Sequence, residues 1–235
     1  MLVRTVGIGL LAAVLVTGSR VVLAQASQLS VQEHVVNLKT ALDASQANLR
    51  QYEWTETTIV SLKGEEKSRK QQRCYYGADG VLQKVVVDAS PPPASKHGLL
   101  GKIIANKTAE LTDYVQNAVS LVKSYLPPDP AKVQAAKNAG KVSIEVLEPG
   151  KRARLNFRDY QKPGDSLGIQ IDLANNRVLA LTVSTYLNSP QDIVMLNVIM
   201  SQLNDGTTYA SDIKLNAQAK DLTVTAQNSG YRKAN

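Results

Sequence analysis

The second half of the chain is a series of short segments rich in β-branched residues, with turn-forming residues between them. Asn175-Asn176 and Asp205-Gly206 are pairs that supply the positive φ angles of tight hairpins. Strands joined by such short turns pair antiparallel with their neighbours. We therefore expect about seven successive antiparallel strands between Val142 and Gln227.

The first half begins with a helix signal and then changes its period. Ser30 and Glu33 form a capping box, and apolar residues at helical spacing predict a helix from about Val31 to Leu49. After this helix the apolar residues alternate with a period of two, and two turns that contain glycine divide the segment into three strands. The predicted strands are Tyr52–Leu62, Glu66–Tyr76 and Val81–Val87.

A run of prolines separates this meander from a helical region, Leu99–Leu126. Lys107 and Thr108 interrupt its apolar pattern, which leaves open a break into two helices near Asn106. A further short helix is expected at Ala131–Ala139. We expect one stripe of the long helical region to be buried against the sheet, formed by Leu111, Val115, Ala118 and Val122.

Residues 1–26 have the composition of an export signal. Arg4 precedes an uncharged run, Thr5–Ser19, and the segment ends in the small-x-small sequence Ala24-Gln25-Ala26. The run is shorter than the roughly 20 apolar residues that a membrane span needs. We expect cleavage after Ala26, which leaves a soluble protein in the periplasm or outside the cell, with no transmembrane span. Residues 27–235 contain no flexible linker and are expected to form one domain of the α+β class.

Few residue patterns point to catalysis. The two histidines, His34 and His97, have no second His or Cys at metal-ligand spacing, and neither a Gly-x-Ser-x-Gly motif nor a phosphate-binding loop is present. Cys74 is the sole cysteine, so an internal disulfide is excluded, and we interpret it as a small buried side chain. We expect no cofactor and no metal. An enzyme is not favoured, but it stays open because the partners of a catalytic triad can be distant in sequence.

Two strands, Val178–Leu187 and Ile193–Met200, are apolar on both faces. Such strands must be covered on both faces, whereas helices can cover only one side of a long sheet. The side chains therefore either fill a core or line a site for an apolar ligand. The candidate lining residues are Leu179, Leu181, Val194, Leu196 and Val198, with their opposite-face neighbours as the alternative.

Basic residues alternate with other residues in two strands of this chain, which carries a net charge of +7. If those strands were adjacent, their basic side chains would form a patch for anionic headgroups or cell wall. The alternative is a solvated sheet face. The charge is too diffuse to indicate nucleic-acid binding. The candidate patch consists of Lys67, Arg69, Arg73, Arg152, Arg154 and Arg158.

The order of helix, antiparallel meander, inserted helices and longer meander, behind an export signal, resembles the LolA/LolB-like superfamily of bacterial envelope proteins. The resemblance covers about Ser30 to Lys233 and lies in element order, not in a motif. It implies a curved antiparallel sheet of about ten strands that forms an incomplete barrel, with the N-terminal and inserted helices on its concave face. The absence of a cysteine at the signal junction favours a soluble member over a lipid-anchored one.

The apolar strands and this resemblance favour an exported envelope protein that binds or carries an apolar ligand, such as a lipid or a lipoprotein acyl chain. The alternative is a non-enzymatic envelope interaction protein, which would use the basic sheet face to contact anionic headgroups or cell wall.

Overall fold

A computed structural model of the chain describes residues 40–89 and 99–234, with the side chains of the long helix described from residue 109 onward. These residues belong to one compact unit, Leu38–Asn235. The predicted export signal, the first part of the predicted N-terminal helix, and both histidines, His34 and His97, lie outside the described residues.

The described part of the chain contains three α-helices, one short 3-10 helix (Gln218–Lys220) and ten strands, and the predicted α+β class is confirmed. The helices are α1 (described over residues 40–49), α2 (Leu99–Lys123) and α3 (Pro130–Asn138). The strands are β1 (Tyr52–Leu62), β2 (Glu65–Tyr76), β3 (Leu82–Ala89), β4 (Val142–Glu148), β5 (Arg152–Arg158), β6 (Ser166–Asp172), β7 (Arg177–Tyr186), β8 (Ile193–Gln202), β9 (Thr208–Ala217) and β10 (Leu222–Lys233).

The ten described strands form one open antiparallel sheet in the order β3-β2-β1-β10-β9-β8-β7-β6-β5-β4. The two predicted meanders, β1–β3 and β4–β10, are therefore present, and the pairing of β1 with β10 joins them. Tight turns produce this topology. Between β1 and β2, Lys63 and Gly64 both have positive φ angles, 53° and 80°, as a type I′ hairpin turn requires.

The long helix α2 is continuous from Leu99 to Lys123, so the break that Lys107 and Thr108 left open near Asn106 is not present. One interrupted turn in an apolar stripe does not break the backbone hydrogen bonding of a long helix. The short helix α3 begins behind Asp129, whose Oδ1 accepts a hydrogen bond from the Ala131 amide at 2.8 Å.

One face of the sheet, here called the inner face, packs against the helices. It carries the buried side chains of β5 to β9, such as Leu167, Val183 and Leu196. The predicted stripe of α2 packs onto this face: Ala118 and Val122 are buried, and Leu111 and Val115 are half-buried in the same cluster. Within residues 40–89 and 99–234, no helix has the length and apolar composition to cross a membrane.

Candidate apolar ligand-binding face

Two rows of apolar side chains run across the strands of the inner face, because each strand places one residue directly opposite a residue of its neighbour. The first row, here the covered row, packs in the main core cluster with α2 and α3. Its members, from β4 to β1, are Val142, Phe157, Leu167, Val183, Leu196, Leu215, Val224 and Val60.

The second row, here the open row, is two residues further along each strand. Its members, from β4 to β10, are Ile144, Leu155, Ile169, Leu181, Val198, Ile213 and Ala226. Only Leu155 and Val198 are buried, at 5% exposure each. Ile169, Leu181, Ile213 and Ala226 are half-buried, and Ile144 at the sheet edge is 51% exposed. The open row is thus an apolar strip that the described helices leave partly uncovered.

Strand β7 shows why the open row is uncovered. At its beginning, Val178 belongs to a small cluster that packs against Leu42 of α1. At its end, Thr185 shares a 2.8 Å hydrogen bond with the Tyr125 hydroxyl, just beyond α2. Leu181 lies between these two points and contacts both clusters. The two helices therefore pack at opposite ends of the strands, and the open row passes between them.

Two tyrosines hold the α2 region in place on the sheet. The Tyr114 hydroxyl donates to Asp192 Oδ1 at 2.5 Å, and the Tyr125 hydroxyl donates to Asp165 Oδ2 at 2.6 Å. Burial is the main cause that raises the pKa of both tyrosines far above the usual value, and the hydrogen bond to the neighbouring aspartate adds to it. Both hydroxyls therefore stay protonated donors over the physiological pH range.

On the other side of the open row, α1 is tied to the sheet by Ser45, a buried side chain whose Oγ accepts a hydrogen bond from the Thr208 amide at 3.1 Å. Nearby, the Tyr52 hydroxyl donates to Asp205 Oδ2 at 2.6 Å. This hydrogen bond is the main cause that lowers the pKa of Asp205 to about 2, and the Thr207 amide also contributes.

The five predicted lining residues fall in four different places on the sheet. Leu181 and Val198 belong to the open row, and Leu196 belongs to the covered row. Val194 lies one step further toward α2 and is fully buried. Leu179 belongs to neither row, because the pairing changes register between Gln170 and Ile171 of β6 and makes Leu179 the extra residue of a β-bulge in β7.

Five members of the open row are not among the predicted lining residues: Ile144, Leu155, Ile169, Ile213 and Ala226. Alternation places Ile169 and Ile213 on an apolar strand face, but alternation within a strand does not show which residues of neighbouring strands stand opposite each other. Membership of the row is set by cross-strand register.

The six predicted basic residues do not come together, because six strands separate β2 from β5 in the sheet. A register shift between Val60 and Ser61 makes Lys67 a bulge residue, out of step with Arg69 and Arg73. Four of the six have an acidic partner in the described part of the chain. The ion pairs are Lys67–Glu65, Arg69–Glu66, Arg152–Glu148 and Arg154–Glu145.

An aromatic cluster occupies the inner face beside β1 and β10. Trp54 stacks on Tyr231 with ring centroids 5.3 Å apart, and its Nε1 donates to Asn228 Oδ1 at 3.0 Å. Gly230, with φ at 64°, lies where the pairing of β10 with β1 changes register and precedes the stacked Tyr231. Cys74 is fully buried beside this cluster, and burial raises the pKa of its thiol.

Two surface grooves lie elsewhere. A groove of about 680 Å³ is lined by residues such as Lys63, Met195 and Thr223, and one of about 310 Å³ by residues such as Arg73 and Arg232. Neither includes a residue of the open row. In the described ranges, no group of three His, Cys, Asp or Glu side chains is arranged to hold a metal ion.

Solved structures with a similar arrangement include three bacterial proteins. A LolA superfamily protein from Nitrosomonas europaea has 11% identity and a TM-score of 0.35, over 84% of this chain and 93% of that chain. An outer membrane lipoprotein-sorting protein domain from Vibrio parahaemolyticus has 10% identity and a TM-score of 0.34, over 83% and 93%. A DUF1329 family protein from Desulfovibrio piger has 7% identity and a TM-score of 0.34, over 84% and 92%.

The solved structures to which the chain is similar thus include a LolA superfamily protein, and the three likenesses have TM-scores of 0.34–0.35. No family model matches the chain, and no curated protein does.

Proposed function

We propose that this protein binds the apolar chain of a lipid or of an acylated protein on the inner face of its sheet, along the open row between α1 and α2. The observation that supports the proposal is the partial exposure of Ile169, Leu181 and Ile213 on the same face as the main core. On the same three strands, the covered-row side chains Leu167, Val183 and Leu215 are buried, as side chains that served only to fill the core would be.

The energetics of such a site need no polar motif. Each CH₂ group that leaves water contributes about 0.8 kcal/mol, so a medium acyl chain lying along several of these side chains would be held by apolar contact alone. A ligand of this kind would also cover Ile144, which is 51% exposed at the β4 edge. The alternative, contact with anionic surfaces through the basic sheet face, has less support because most of those side chains have acidic partners.

The direct test is native mass spectrometry of the protein purified from its own host, followed by lipid extraction. We expect a co-purified apolar ligand, or a gain in fluorescence when an apolar probe such as 1-anilinonaphthalene-8-sulfonate is added. Absence of both would refute the proposal.

A pair of tryptophan variants locates the site. Ala226→Trp places a bulky side chain in the open row, whereas Ile199→Trp places the same side chain on the outer face, where Ile199 is 47% exposed. We expect Ala226→Trp to weaken probe binding by tenfold or more and Ile199→Trp to leave it unchanged. Melting curves of both variants check that they are folded. Equal binding by the two folded variants would place the site elsewhere.

We propose further that the protein is exported, with cleavage after Ala26, on the basis of the composition of residues 1–26. N-terminal sequencing of the protein from its host should then begin at Ser27. Retention of the full-length chain in the inner membrane would contradict the proposal.

A further inference from the structure

We infer that the ligand of the open row is an amphiphile with one anionic headgroup, a carboxylate or a phosphate, and that Lys70 of β2 is its counter-charge. The inference rests on the proposed function and deepens it. The inference depends on the two residues that follow Ala226, the last apolar member of the open row. There the row continues from Ala226 of β10 to Thr58 of β1 and then to Lys70.

The change from apolar to polar along this line is abrupt. Seven successive strands contribute apolar side chains, the next contributes the half-buried Thr58, and β2 contributes the exposed Lys70. An apolar strip that ends in a hydroxyl and an ammonium group matches the two parts of an amphiphile. At the opposite end, the row meets solvent at Ile144 without any such polar group on the same line.

The charges around Lys70 leave its ammonium group uncompensated. Glu56 of β1 lies on the same face and accepts a hydrogen bond from the Thr58 hydroxyl at 3.4 Å, but it is already bound by Lys84, whose Nζ lies 2.7 Å from both carboxylate oxygens. On β2 itself, Glu65 pairs with Lys67. Lys70 has no ion-pair partner among the described residues. Among the described side chains, Lys70 thus gives this end of the strip a positive charge that no carboxylate neutralises, and such a charge attracts a negative headgroup.

The strip that begins at Lys70 is long enough to hold an extended alkyl chain. Five strand-to-strand steps separate Lys70 from Leu181 in the sheet, or about 24 Å at the usual spacing between strands. A headgroup at Lys70 would thus direct its alkyl chain across β1, β10, β9 and β8 toward the gap between α1 and α2.

The experiment measures headgroup preference by calorimetry below the critical micelle concentration, with four twelve-carbon probes: dodecanoate, dodecyl phosphate, dodecanol and dodecyltrimethylammonium. We expect wild-type protein to bind the anionic probes about fivefold more tightly than dodecanol, the size of a partly exposed ion pair. The cationic probe should bind more weakly than dodecanol. The ratio of the two anionic affinities then distinguishes a carboxylate ligand from a phosphate ligand.

Lys70→Gln should abolish the preference, so that the anionic probes and dodecanol bind with about equal affinity, while the affinity for dodecanol itself is unchanged. Arg69→Gln is the matched control, because Arg69 is the next residue along the strand and pairs with Glu66. It should keep the preference. Binding of all probes with no preference, or a preference that survives Lys70→Gln, would overturn this inference and leave the proposed function standing. Failure of every probe to bind would overturn the proposed function itself.

Discussion

Tyr125→Phe is the most informative single substitution, because it removes one oxygen atom and keeps the ring. Tyr125 is 1% exposed, and its hydroxyl bridges Asp165 Oδ2 and Thr185 Oγ1 at 2.6 and 2.8 Å. Without it, the carboxylate of Asp165, itself 3% exposed, keeps only the backbone donors of Gln161 and Lys162. A hydrogen bond to a buried charged group contributes roughly 1.5–3 kcal/mol.

That loss corresponds to a fall in Tm of about 3–12 °C, since 1 kcal/mol shifts the Tm of a domain this size by about 2–4 °C. Urea unfolding followed by circular dichroism gives the free energy directly. Tyr186→Phe is the control, because the Tyr186 hydroxyl makes an exposed hydrogen bond to the Pro163 carbonyl at 3.1 Å, and it should cost less than about 0.5 kcal/mol. Equal stabilities for the two variants would show that this hydrogen bond does not hold the α2 region to the sheet.

Three further predictions concern the core and the titrating groups. Leu167→Ala, at a fully buried position of the covered row, should lower the free energy of unfolding by about 2–5 kcal/mol, and Val146→Ala, at a position 63% exposed, by far less; urea titration of both checks this. Tyr52→Phe should raise the pKa of Asp205 from about 2 toward the usual aspartate value, as NMR titration of the carboxyl carbon would show; an unchanged pKa would assign the shift to other groups. Because the pKa of Tyr125 is raised in the folded protein, stability should be fully present below about pH 10 and decline above it, and a urea midpoint that is equal at pH 8 and pH 11 would contradict this.

The elements of this fold were largely predictable from local signals. Turn residues such as Asn175-Asn176 separate the strands, and the spacing of Ala118 and Val122 predicted the buried side of α2. The class and the two antiparallel meanders followed from element order, and the single open sheet was what the resemblance implied. The pairing of β1 with β10 was not predicted, because no turn joins strands that are so distant in the chain.

The composition of the candidate site was harder to predict, because β-bulges change the phase of alternation. Counting by two from Leu181 places Leu179 on the same face, yet the bulge in β7 takes Leu179 out of step while Val178 stays on the inner face. Lys67 loses its phase with Arg69 in the same way. Each bulge is a single extra residue with no sequence signal of its own, and it shifts every residue beyond it to the other face. A site made from one residue of each of many strands is therefore set by cross-strand register, and register depends on the pairing of whole strands, not on any local motif.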